Sequence, residues 1–222
     1  MRMLYEDWKP IYNEILGDFG YEKRSDDYSA CLLRHLMANS NIVSEDRIAV
    51  QRKVTVFGGS GSLENDLRSV PPEGTLIAAG SAAGRLAECG LAPDIIVTDL
   101  DGDMEPQIEA SRRGAIAFIH AHGDNAGQIW KYAREFVGPV VLTTQSEPDS
   151  AVFNYGGFTD GDRAVCIARH FGAKDILLLG FDFEKPSEKE GSDPQTKVKK
   201  LRWAEKIIFE YNEPGVSIMM PR

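Results

Sequence analysis

The sequence has few cysteines, few histidines and a deficit of positive charge, and it lacks any long apolar run. Its three cysteines, Cys31, Cys89 and Cys166, lie far apart with no Cys-x-x-Cys spacing. They read as reduced thiols filling the core of a cytoplasmic protein, not as a redox pair or a zinc ribbon. No apolar stretch reaches the roughly 18 residues of a membrane span, so no membrane association is expected. The opening "MRMLYEDWKP" lacks the apolar core of a signal peptide. Lys and Arg number 25 against 34 Asp and Glu, giving a net charge of −9. Non-specific nucleic-acid binding wants a basic face, so that class is excluded. Phosphate substrates remain open, because a metal ion can mediate between like charges.

What is present suits one globular domain. The 222 residues are 42% hydrophobic and 27% charged, enough for a full core. Trp8, Ile11, Tyr12, Ile15, Leu16 and Phe19 recur at spacings of three and four, which predicts an amphipathic helix. A second helix is expected over Ser25 to Ala38, capped by Ser25 or Asp26. Residues 1–48 thus form an N-terminal helical segment, whose apolar face suggests packing in a homodimer.

Residues 49–222 have a different texture. Short apolar runs, "VTVF" (54–57), "TLIAA" (75–79), "DIIV" (94–97), "AIAFI" (115–119), "PVVLT" (139–143) and "DILLLG" (175–180), alternate with helical stretches. A helix over 196–211 and a strand near 216–219 follow. This alternation predicts an α/β fold: a mostly parallel, Rossmann-like sheet with helices on both faces. The charged stretch 184–197, "EKPSEKEGSDPQTK", reads as a surface loop that could serve as a lid.

In such sheets ligands bind beyond the carboxyl ends of the strands. Nearly every predicted strand ends there in small or polar residues. "GGSGS" (58–62) brings Gly59, Gly61 and Ser62 to the start of a helix, where backbone N–H groups can meet phosphate. Glu64 replaces the third glycine of a dinucleotide fingerprint, and no Gly-Lys-Ser/Thr follows. Gly80 and Ser81 follow the second run, and Thr144 and Gln145 the fifth.

The densest signal is "PDIIVTDLDGD" (93–103). Alternation along an extended chain puts Asp99 and Asp101 on one side, and paired carboxylates there call for a cation such as Mg²⁺. Asp103 is the natural cap of the next helix, and Asp94 belongs at the opposite end of the strand. "HAHGDN" (120–125) matches three ligands of a His-x-His-x-Asp-His zinc pattern, but Asn125 stands where the last histidine belongs. Only His35 and His170 remain elsewhere, too few for a binuclear site. In "NYGGFTDGDRA" (154–164), Asp160 or Asp162 caps a helix, and Arg163 in its first turn can clamp a polyphosphate.

Taken together, "GGSGSL", "PDIIVTDLDGD", "HAHGDN", "GFTDGDRA" and "LLLGFDF" resemble the archaeal 6-hydroxymethyl-7,8-dihydropterin diphosphokinases. Those are related to thiamin pyrophosphokinase catalytic domains and to motility accessory factor proteins. The resemblance covers roughly residues 50 to 182. It implies Mg²⁺-dependent transfer of diphosphate from ATP to a pterin alcohol, with release of AMP, on the route to folate- or methanopterin-type cofactors. By motif, Asp99 and Asp101 would hold Mg²⁺, with Asp124 as a candidate further ligand, and Gly59, Gly61 and Ser62 would cradle phosphates; in the reaction so implied, a carboxylate such as Asp124 could orient the hydroxyl or take its proton. Asn125, Asn154, Thr144 and Gln145 are candidates for the pterin edge. The thiamin enzymes carry an acidic segment where this chain has "HGDN", which speaks against thiamin. A thiamin pyrophosphokinase-like enzyme, a sugar-nucleotide-dependent transferase and a non-enzymatic nucleotide-binding module are the alternatives.

Overall fold

The computed structural model describes residues 3–185 and 193–221. The chain opens with α1 (Tyr5–Phe19) and α2 (Lys23–Met37), then β1 (Lys53–Phe57), α3 (Leu63–Ser69), β2 (Thr75–Ala79) and α4 (Ala82–Glu88). There follow β3 (Ile95–Thr98), α5 (Met104–Arg112), β4 (Ile116–Ala121), α6 (Ala126–Tyr132) and β5 (Val140–Thr144). The last elements are β6 (Val152–Phe153), α7 (Asp160–His170), β7 (Asp175–Leu179), α8 (Pro194–Phe209) and β8 (Ser217–Met219). Among the described residues these strands form one sheet in the order β6-β5-β4-β3-β2-β1-β7-β8. Every pairing is parallel.

The apolar runs are strands because both of their faces are covered. Val54, Val56, Ile77, Val97, Ile176 and Leu178 pack under α7 and the end of α8. Residues of opposite parity meet the other helices: Phe57 and Ala78 lie under α3 and α4, and Ala117, Ile119 and Leu142 under α2, α5 and α6. Near-continuous apolar strands are what two covered faces require.

The N-terminal helices pack on their own chain. Trp8, Tyr12 and Ile15 of α1 join Phe158, Cys166, Trp203 and Ile207, and Leu33 and Met37 of α2 enter the core beside α6. The apolar face that suggested a dimer is therefore filled by α7 and α8. α1 stops at Gly20, whose φ of 68° ends the helix in the left-handed region. α2 begins at Lys23 with Glu22 as its N-cap, so neither Ser25 nor Asp26 caps it. The last helix begins at Pro194, where Asp193 accepts from the N–H groups of Gln195 and Thr196. The suggested lid, 184–197, falls largely on residues 186–192, outside those described. No described helix is long and apolar enough to cross a membrane.

Strand order sets the site. β1 continues leftward through β2 to β6, while β7 and β8 add on its other side. The direction of winding reverses between β1 and β7, which opens a crevice at their carboxyl ends.

Candidate active site

Two cavities open at this end of the sheet. The first, of about 520 Å³, lies over the β1/β7 switch and is lined by Gly58–Ser62, Ser81, Asp99, Asp101, Asp160 and the Gly180–Phe183 turn, among others. The second, of about 460 Å³, is walled by Tyr21, Asp26, His122, Gln145, Phe158 and Lys200, among others. Asp99, Thr159 and Asp160 line both.

The glycine loop is shaped for an anion. The N–H groups of Gly58 and Ser60 donate backward to the carbonyls of Leu179 and Gly180, at 2.8 and 2.9 Å. Those of Gly59 and Gly61 have no acceptor among the described residues, and both glycines line the first cavity. A Cβ on Gly58 would lie 2.5 Å from the Gly180 carbonyl oxygen, and one on Gly59 would lie 2.7 Å from Ser81 Oγ. At Gly58 the neighbour is backbone, so only glycine fits there, whereas at Gly59 the Ser81 side chain would have to turn away. α3 is just seven residues long, so its dipole adds little and the loop's own N–H groups matter more. Ser62 lines the cavity, but its hydroxyl donates to Asp66 at 3.0 Å.

Arg85 of α4, which no motif marks, holds this loop. It grips both carboxylate oxygens of Glu64, the residue in the third glycine position. Its Nη1 donates to the carbonyls of Gly59 and Ser60. With the carbonyls held there, the alternate N–H groups face the cavity. Arg85→Ala is expected to weaken binding of inorganic tripolyphosphate about tenfold, the size of a charge-assisted hydrogen-bond loss, as isothermal titration calorimetry will report.

Asp99 is fixed from three sides. Its backbone N–H donates to the Asp160 carboxyl. Its carbonyl accepts from Asn125 Nδ2 at 2.9 Å, and its Oδ2 lies 3.4 Å from His122 Nε2. Strand alternation is not what brings Asp101 beside it. β3 ends at Thr98, and Leu100 adopts a φ of 65°. That left-handed residue turns the chain so that both carboxylates still reach one cavity. Such a conformation costs about 1–3 kcal/mol for a non-glycine residue. The buried Leu100 side chain, packed with Met104 and Ile108, holds it in place. Asp103 accepts from Glu105 N–H as the cap of α5, and Asp94 binds Leu76 N–H at the far end of the strand.

The remaining sequence candidates divide. Gln145 lines the second cavity. Asn125 is buried; its amide bridges the Asp99 and His120 carbonyls, and its Oδ1 accepts from His122 N–H. Thr144 is buried against Ser146, and Asn154 donates to the Ser146 carbonyl. Gly80 has a φ of 48°, and a Cβ there would sit 2.6 Å from Asp160 Oδ2, so it makes room for that carboxylate. The cap of α7 is Thr159, in a capping box with Asp162, which frees Asp160 for the site.

Arg163 does not line either cavity. It is buried behind them, with Nη1 on Asp160 Oδ1 and Nη2 on the Phe158 carbonyl, each at 2.8 Å. The clamp expected from sequence is instead a brace for Asp160. Burial and then the Asp99 charge hold the Asp160 carboxyl well above the usual carboxylate range, with Arg163 opposing them.

Asp124 is largely exposed, with its Oδ1 2.6 Å from His122 Nδ1. Burial works against charge on His122, but Asp124 and Asp99 outweigh it and raise the pKa to about 9. The same pairing holds Asp124 below its ordinary value, which makes it a poor proton acceptor. His120 is different: it is buried beside Thr143, and burial lowers its pKa. His35 and His170 sit elsewhere, against the Cys31 carbonyl and Glu45.

A pH dependence follows for the metal-free protein. A folded-state pKa raised from 6.5 to about 9 gives stability that is complete below the unfolded value and lost as pH rises through the folded one. The urea midpoint is expected to fall between about pH 7 and pH 10, and His122→Gln to remove that part of the slope.

The donor set suits Mg²⁺. Among the described residues no cluster of three or more His, Cys, Asp or Glu forms a cage. Mg²⁺ rarely uses one; it keeps waters and binds one or two carboxylates together with substrate phosphates. Asp99 and Asp101 on the wall of an open cavity, opposite the bare N–H groups of the glycine loop, match that habit.

Comparison with known proteins shows the family. Three archaeal proteins, each named 6-hydroxymethyl-7,8-dihydropterin pyrophosphokinase, match nearly end to end. That of Pyrococcus furiosus is 42% identical over 219 residues, covering 93% of both chains. The Methanothermobacter thermautotrophicus protein is 39% identical, covering 90% of this chain and 92% of its own. The Methanocaldococcus jannaschii protein is 36% identical, covering 91% and 93%. A solved MAf glycosyltransferase from Magnetospirillum magneticum shares the fold at a TM-score of 0.55 and 15% identity, over 89% of this chain but only 36% of that one. The family model described as 6-hydroxymethylpterin diphosphokinase MptE-like matches residues 33–188. With that match and these relatives, the chain belongs to the MptE-like 6-hydroxymethylpterin diphosphokinase family.

Proposed function

We propose that the protein transfers the β,γ-diphosphate of ATP to the hydroxymethyl oxygen of 6-hydroxymethyl-7,8-dihydropterin, releasing AMP, on the way to a folate- or methanopterin-type cofactor. The observation that carries this reading is the pair of cavities sharing the wall of Asp99, Thr159 and Asp160. A two-substrate transfer needs its donor and acceptor sites to meet at one reacting atom.

The triphosphate lies along the glycine loop, with the Gly59 and Gly61 N–H groups taking its charge. Asp99 and Asp101 would hold Mg²⁺, which when bound would supply charge neutralisation for the polyphosphate. The pterin enters the second cavity between Tyr21 and Phe158, with its hydroxymethyl group at the shared wall. Its oxygen attacks the β-phosphorus in line, the bond from that phosphorus to the α,β-bridging oxygen breaks, and AMP departs with that oxygen. Asp160 stands at the shared wall, where burial and then the Asp99 charge raise its proton affinity, and its carboxyl group takes the hydroxyl proton. The residues mainly position groups and balance charge, as phosphoryl transfer generally requires.

Incubation with ATP, Mg²⁺ and the pterin alcohol should yield AMP and pterin diphosphate in equal amounts. Thiamin in the parallel reaction should yield none. AMP formed with thiamin alone would replace the acceptor, and ATP binding without turnover of either alcohol would leave a nucleotide-binding module.

A further inference from the structure

One buried charge at the second cavity has no role in the mechanism above. Asp26, in the first turn of α2, is only 3% exposed and lines that cavity. Its carboxylate accepts from the Tyr12 hydroxyl and from Gln145 Nε2, the latter at 3.1 and 3.2 Å. Burial, then Asp26 itself, raise the Tyr12 pKa, which keeps the phenol a proton donor. Both partners are neutral, and among the described residues no basic side chain pairs with Asp26. An ionised carboxylate can accept about four hydrogen bonds, so capacity remains. A buried charge held by neutral donors alone is costly until further donors reach it. Gly123 lines the same cavity beside it, and a Cβ there would crowd this place, at 3.0 Å from Ser25 Cβ and 3.3 Å from Asp26 Oδ1.

We infer that Asp26 is a specificity-determining residue, whose carboxylate accepts two hydrogen bonds from the amino group and adjacent ring N–H of the acceptor's aminopyrimidinone edge. This rests on the pterin reading and adds the residue that selects that ring. Two parallel N–H donors on a planar heterocycle match a carboxylate as a guanidinium does. Tyr21 and Phe158 supply apolar walls for the flat ring. Asp99 and Asp160 line the same cavity and also the first one, so a ring anchored on Asp26 can direct its hydroxymethyl group toward the nucleotide. The N-terminal helices therefore carry acceptor recognition, a task that none of the sequence motifs assigns them.

The test compares the pterin alcohol with an analogue whose 2-amino group is replaced by hydrogen, in the wild type, in Asp26→Asn and in the charge-keeping Asp26→Glu. In the wild type the analogue should lose about a hundredfold in kcat/KM, mostly through KM. Asp26→Asn should raise KM for the pterin by a similar factor, leave KM for ATP unchanged, and largely abolish discrimination between the two acceptors. Asp26→Glu should retain discrimination, and it serves as the informative variant if Asp26→Asn fails to fold. A purely structural role would lower activity toward both acceptors alike and leave their ratio intact. Equal use of both acceptors by the wild type, or an unchanged ratio in a folded Asp26→Asn, would overturn the assignment while the diphosphate transfer stands. Absence of AMP from the wild type with the pterin alcohol would instead overturn the pterin reading itself.

Discussion

Asp99→Asn is expected to lower kcat for AMP formation by about a thousandfold, or ~4 kcal/mol of transition-state stabilisation. Asn is nearly isosteric, and the backbone bonds that fix this position, from Asn125 and to Asp160, do not involve the replaced atoms. The fold should survive, and the thermal midpoint should stay close to that of the wild type. What disappears is a carboxylate charge that lines both cavities together with Asp160, and with it a proposed ligand for the cation. The Mg²⁺ concentration for half-maximal rate should rise along with the loss of kcat. Asp101→Asn should cost less, because Asp101 is exposed and lines only the first cavity. Steady-state AMP release with Mg²⁺ varied measures both effects. Unchanged turnover in Asp99→Asn would remove the metal assignment.

Arg163→Met should unfold at a temperature about 10 °C lower, reflecting a loss of ~3–5 kcal/mol. The Arg163 side chain is 2% exposed and that of Asp160 17%. Removing the cation leaves Asp160 buried beside Asp99 with its main compensation gone, and it leaves the Phe158 carbonyl without its donor. The site is also tightly built: a Cβ on Gly157 would fall 2.4 Å from Arg163 Cα. A phosphate clamp predicts something else, a higher KM for ATP with no change in melting. The double variant Arg163→Met/Asp160→Asn should regain part of the stability, because no uncompensated charge remains. Differential scanning calorimetry of the two variants and the wild type separates a brace from a clamp.

The sheet was legible in the sequence because buried strands need apolar runs, and the alternation of such runs with helices admits few topologies. Its order was not, since nothing local tells β1 that its second neighbour is β7, over a hundred residues later. β6 escaped notice because two residues are too few for any pattern. The site follows the same division. Gly59, Gly61, Asp99 and Asp101 stand in short motifs, and the structure brings all four to one cavity. The reason offered for the two aspartates, an extended chain, differs from the turn at Leu100 that places them. Proximity to a glycine-rich motif suggests a phosphate clamp at Arg163, but helix phase turns the side chain inward onto Asp160. Asn125 and Thr144 follow strands as expected but are consumed by internal hydrogen bonds. Asp26, Arg85 and Lys200 reach the site from distant elements. In one dimension Asp26 looks like a helix cap and Arg85 like a surface charge.

The central claim is that two cavities meet at Asp99, one for the nucleotide and one for the pterin. A crystal structure with Mg²⁺, a non-hydrolysable ATP analogue and the pterin alcohol tests it most directly. The claim predicts the triphosphate along Gly59–Ser62, the cation on Asp99 and Asp101, and the pterin ring between Tyr21 and Phe158 with its hydroxyl in line with the β-phosphorus. A nucleotide bound away from the β1/β7 crevice, or a pterin on the same side of Asp99 as the phosphates, would contradict it.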